Sequence, residues 1–135
     1  MKRSITALLL VCTGLLAGAL PVQAHHSFAA EFDADKPVTI RGNVTRIAWT
    51  NPHVWIYLNV KDEKTGELVN WGFEMGAPHQ VRNRGWDRDT LKTGDEIIVE
   101  GSLARDGSPR MNARTVTWAA TGESLGAASS QNAAQ

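Results

Sequence analysis

Val38-Thr39-Ile40-Arg41-Gly42-Asn43-Val44-Thr45-Arg46-Ile47-Ala48-Trp49 is the stretch that decides the fold. Val38, Ile40 and Val44 alternate with Thr39, Arg41, Asn43 and Thr45, the period-two signature of a half-buried strand. Gly42 interrupts the row, and Ile47 and Trp49 continue it on the opposite parity. A strand with an internal glycine and a parity change bends or bulges. Such a strand can serve both halves of a small barrel.

Outward from this stretch the pattern repeats. Thr50-Asn51-Pro52 makes a turn, and Val54 to Val60 is a second strand rich in β-branched and aromatic residues. Lys61 to Glu67, with Thr65-Gly66, is a polar hairpin loop. Val69, Trp71, Phe73 and Met75 alternate with Asn70, Gly72 and Glu74 as a third strand. Pro78 opens a short helix through Arg84, because proline suits a first helical turn. Glu96 to Leu103 and Met111 to Trp118 are the last two strands, joined at Asp106-Gly107. Three strands, a helix and two strands predict an all-β fold: a small five-stranded OB-like barrel with one short helix between strands 3 and 4. The alternative is an open sandwich of the same five strands.

The N-terminus sets the compartment. Lys2 and Arg3 precede an apolar run from Ile5 to Leu20, and Val22-Gln23-Ala24 offers a cleavage site. Residues 1–24 are therefore expected to be a signal peptide, with the working chain beginning at His25 in the periplasm and no membrane anchor after cleavage. The apolar run is too short and too broken by Gly14, Gly18 and Pro21 for a retained span of about 20 residues. Residues 25–37 are expected to form an arm, 38–118 the barrel, and 119–135 a disordered tail of Ala, Ser, Gly, Gln and Asn.

Composition then excludes several functions. The chain has 14 basic and 14 acidic residues, and loss of Lys2 and Arg3 leaves a net charge of −2. A nucleic-acid partner normally demands a basic surface. Cys12, the single cysteine, leaves with the signal, so the mature chain has no disulfide, thiolate ligand or cysteine nucleophile.

Longer motifs carry a resemblance. His25-His26-Ser27-Phe28-Ala29-Ala30-Glu31-Phe32-Asp33 resembles the start of a family of small exported bacterial proteins of unknown function. Trp49 through Tyr57, with its Thr50-Asn51-Pro52-His53 core, resembles it too, as do Trp71-Gly72-Phe73-Glu74-Met75-Gly76 and Arg84-Gly85-Trp86. Gly94 through Gly101 and Asn112-Ala113-Arg114-Thr115-Val116 complete the likeness. The resemblance implies a signal peptide and a compact β-domain, and no established activity.

Two sets of residues are candidates for function. Cleavage after Ala24 gives His25 a free α-amine, which can chelate a metal together with the ring. An imidazole from His26 or His53 would complete a three-nitrogen site of the kind that suits Cu(II). The step from His25 to Val38 spans up to roughly 45 Å, enough to run back along a strand of about 40 Å. The bland alternative is that His25 and His26 flank a cleavage site while His53 hydrogen-bonds in its turn. The second set is Trp55 and Tyr57, which point outward if Val54, Ile56, Leu58 and Val60 point inward. They would form a ligand face for an unknown periplasmic protein, a glycan or another small ligand, unless Phe28 and Phe32 of the arm cover them. Glu31, Asp33 and Asp35 are expected to be a solvated acidic arm. Arg82, Arg84 and Arg88 are expected to pair with Asp87, Asp89 and nearby acids. Glu74 faces away from Phe73 by parity and is given no catalytic role. No nucleophile–base pair or phosphate loop is present, so the expected role is binding and not catalysis.

Overall fold

The computed structural model describes residues 28–131. The expected signal peptide, its expected cleavage site and the histidines His25 and His26 lie outside the described residues. Along the chain run α1 (Phe28–Glu31), β1 (Phe32–Trp49), β2 (Val54–Lys61), β3 (Leu68–Glu74), α2 (Pro78–Arg82), β4 (Glu96–Ala104), β5 (Arg110–Trp118) and β6 (Ser124–Gly126).

The sheet order is β3-β2-β1-β4-β5-β6, and β3 also pairs with β5. That last pairing is parallel, through Gly72, Phe73 and Glu74 against Arg110, Met111 and Asn112. It closes β1, β2, β3, β5 and β4 into a barrel-like ring, the arrangement expected of an OB-type chain. β1 makes the ring possible. It pairs with β4 from Phe32 to Asn43 and with β2 from Asn43 to Trp49. The parity change of the sequence is a register shift between Val44 and Arg46, with Thr45 as the extra residue. Gly42 is needed where β1 crosses β2, since a Cβ there would stand 2.5 Å from the Asn59 carbonyl oxygen.

The interior is apolar. Val44, Ile56, Leu58, Phe73, Met75, Ile97, Val99, Met111 and Val116 are all at most 2% exposed. Val81 of α2 and Trp86 cap this core from one end, and Trp86 lies 5.6 Å from Trp118 between ring centroids. α2 is shorter than expected and ends at Arg82; the Ala77 N–H ahead of it is capped by Gln80 Oε1 at 2.9 Å.

Two boundaries differ from expectation. β1 starts at Phe32, so the half of the expected arm next to the barrel is strand. Its charged residues hid it, because an edge segment with Asp33, Asp35 and Lys36 lacks an apolar row. The tail expected to be disordered from Ala119 instead adds β6, which pairs with β5 through Thr115, Val116 and Thr117. Ala127 is fully buried, with its N–H bonded to the Arg114 carbonyl and its carbonyl to the Gly76 N–H, each at 2.9 Å. Backbone pairing to an open strand edge orders this stretch, where side-chain burial alone would not. Among the described residues no helix is long and apolar enough to cross a membrane.

Candidate functional site

The outer faces of β2, β3, β5 and β4 form one continuous strip. Trp55 stands beside Glu74 and Tyr57 beside Gly72 across β2 and β3. Glu74 is opposite Asn112, and Asn112 is opposite Ser102. Parity does turn Glu74 away from Phe73, yet Glu74 is 7% exposed, and Asn112 and Ser102 are 1% exposed. Burial on the outward side was not legible, because the cover comes from elsewhere in the chain.

That cover is polar and hydrogen-bonded. Asn112 Nδ2 donates to Glu74 Oε1 at 3.3 Å and to Ser130 Oγ at 3.1 Å. Ser129 Oγ donates to Asn112 Oδ1. Ser102 Oγ has no partner among the described residues. Burial raises the Glu74 carboxyl above its ordinary value; His53 pulls it back down, repulsion from Glu31 raises it further, and the Asn112 hydrogen bond and Arg110 lower it.

His53 stands at the edge of this network. It follows the cis Asn51–Pro52 peptide bond, and its Nδ1 lies 3.0 Å from the Met75 carbonyl oxygen and 3.9 Å from Glu74 Oε1. A carbonyl oxygen only accepts, so Nδ1 carries a proton, and in its uncharged form the ring keeps its lone pair on Nε2. The side chain is 34% exposed. This is the hydrogen-bonding pattern of a metal-ligating histidine, whose second nitrogen is usually held by a carbonyl or carboxylate. Among the described residues, however, no three metal-capable side chains lie together.

Trp55 and Tyr57 stack at 6.3 Å and 22°, both half-buried. The Arg46 guanidinium lies 4.0 Å from the centre of the Tyr57 ring. A Cβ at Gly72 would touch both rings at 3.5 Å, so the glycine gives the pair a flat floor. Phe28 and Phe32, expected as the cover for these rings, form a separate buried cluster with Ala104.

Two expectations about charged residues are corrected. Asp33 is not solvated; it is 9% exposed and lies 3.6 Å from both Lys36 Nζ and Arg105 Nη1. The arginines near α2 make no ion pair with Asp87 or Asp89 among the described residues. Asp87 accepts from Thr90 Oγ1 and the Asp89 N–H, which hold its carboxyl below the usual range. Arg82 and Arg88 instead lie over the Trp49 ring at 5.8 and 5.9 Å.

The structure thus brings His53 to Glu74, Asn112, Ser129 and Ser130, and sets Trp55 and Tyr57 on the same face. The sequence singled out His53, Trp55 and Tyr57 and missed Asn112, Ser102, Ser129 and Ser130. Asn112 lies in a motif that carried the resemblance, which was the one available signal. No curated protein matches the chain. A model described as a family of unknown function (DUF6152) matches residues 12–114, and the chain belongs to that family.

Proposed function

We propose that this protein is an exported periplasmic binding module that holds one copper ion between His53 and the histidines of its mature N-terminus, His25 and His26. The observation that carries the reading is the hydrogen bond from His53 Nδ1 to the Met75 carbonyl, which fixes the ring and leaves Nε2 as the outward lone pair. Imidazole and amine nitrogens suit Cu(II), the most tightly held of the first-row divalent ions. The direction of the arm supports the pairing. Burial raises the Glu74 carboxyl most, and both His53 and Glu31 of α1 act on it as well. His25 lies three residue steps before Phe28, a reach of at most about 11 Å. No catalytic step is part of this reading.

Calorimetric titration with Cu(II) tests it. The processed chain is expected to bind one ion. Affinity is expected to fall about tenfold or more in His53→Ala and in a chain with one extra residue ahead of His25, which displaces the amine. Binding weakens as pH falls, since metal must displace protons from its nitrogens. Equal affinity in wild type and His53→Ala would reduce the histidine pair to a chelating tag.

A second reading is favoured by one observation. The Trp55–Tyr57 pair is stacked, half-exposed and not covered by Phe28 or Phe32. In that reading the protein is an accessory module that docks a partner protein or a glycan on this face. Stacking an aromatic platform on a sugar ring or a partner side chain needs no metal. Retention on a glycan array that disappears in Trp55→Ala but survives in His53→Ala would favour it.

A further inference from the structure

We propose that the cleft between α2, β5 and β6 is a binding site for a small oxyanion, a carboxylate or a phosphate. The cleft has a volume of about 430 Å³, and Arg84 and Arg114 both line it. No aspartate or glutamate lines it. Neither arginine forms an ion pair among the described residues; Arg114 makes one long contact, from Nη2 to Gln131 Oε1 at 3.4 Å.

The local fold puts both guanidinium groups there. β5 carries a register shift opposite Glu100 and Gly101, and Arg114 is the residue left without a partner on β4. A bulge of this kind re-aims the side chain it releases. Arg84 follows α2 and reaches over Gly126, whose missing side chain keeps the cleft open; Arg84 Nη1 lies 4.0 Å from where a Cβ would stand.

The hydrogen-bond inventory decides the sign of the ligand. Several of the nearby acceptors are already used. The Gly126 carbonyl takes the Trp86 indole N–H at 2.9 Å. The Arg114 and Ala127 carbonyls take backbone N–H groups, also at 2.9 Å. Ser129 Oγ donates to Asn112 and accepts from the Gln131 N–H. The donors remain. Gln80 spends its Oε1 on the Ala77 N–H, so its amide nitrogen is left for the cleft. Two arginine forks and an amide, with no competing carboxylate, match an acceptor-only oxyanion, which planar guanidinium groups bind through paired hydrogen bonds. The site touches the Asn112 network through Ser129 but uses none of the proposed copper ligands and does not depend on them.

Titration of the ¹⁵N-labelled protein with inorganic phosphate, and separately with succinate, tests the assignment. At least one of them is expected to give saturable shifts at Gly126, Ala128 and the Arg84 and Arg114 Nε–H groups, and the one that binds more tightly names the ligand class. Arg84→Gln and Arg114→Gln are each expected to weaken that binding about tenfold or more, as loss of a charge-assisted pair does. Arg114→Lys keeps the charge, loses the fork and is expected to weaken it as well. Thermal unfolding of each variant identifies any that is misfolded, and the remaining variants then carry the test. No saturable shift with either anion, or affinity unchanged by these folded variants, would overturn the proposal.

Discussion

On the inner side of the β3–β5 pair, Phe73 stands opposite Met111, and both are fully buried. One residue along, on the outer side, Glu74 stands opposite Asn112, and they are nearly as well hidden. The inner pair is covered by the ring itself, through side chains from every strand. The outer pair is covered by Ser129 and Ser130 from one end of the described chain, while Glu31 near the other end acts on it electrostatically. Apolar burial is favourable without partners, whereas a buried polar group costs free energy unless its hydrogen bonds are met. The inner face therefore maintains the fold. The outer face holds a carboxyl and an amide in a shielded place beside an oriented imidazole, an arrangement that a stable barrel does not need.

Substitutions on the two faces should separate these roles. The largest effect is expected at Phe73→Ala, a loss of about 3–5 kcal/mol in denaturant unfolding, from lost transfer energy and the cavity left behind. Asn112→Ala is expected to cost about 1–3 kcal/mol, since it strips partners from Glu74 and Ser129 in a shielded site. If Asn112→Ala costs nothing, the outer network is open to water and the contrast between the faces fails. Trp55→Ala is expected to cost about 1 kcal/mol, chiefly its pairing with Tyr57. A loss near that of Phe73→Ala would make Trp55 part of the core and remove the aromatic face as a docking surface.

The smallest effect is the most diagnostic, because its sign depends on pH. The folded-state Glu74 carboxyl is raised, so between its ordinary value and the raised one the folded chain holds more protons than the unfolded chain. Stability of the wild type therefore falls as pH rises through that window. Glu74→Gln has no such proton to lose. Its unfolding temperature relative to wild type is expected to climb as pH goes from about 4 toward 7. A difference that stays flat with pH would mean that Glu74 is not shielded.

The strands were legible because alternation is a local property. Val54, Ile56 and Leu58 announce their inward side, and the parity break after Val44 announces the bulge. The chemistry of the outer face was not legible, because it is made by distant partners. His53 takes its ring orientation from the carbonyl of Met75, and Asn112 is buried by Ser129 and Ser130. The segment Ser124-Leu125-Gly126 has little bulk to signal a strand; only the open edge of β5 makes it one. Nothing in the sequence sets Arg114 apart within its strand, because the bulge that frees it lies in the pairing with β4.

The parallel β3–β5 pairing has a consequence for how the molecule is assembled in time. Two of the hydrogen-bond partners of Asn112, Ser129 and Ser130, come from residues after Gly126. The inner ring can close once β5 is present, with Phe73 and Met111 already packed. Asn112 then stays incompletely bonded until Ser129 and Ser130 dock. A chain cut after Gly126 should therefore keep its ring and lose the hydrogen bonds that Ser129 and Ser130 make with Asn112.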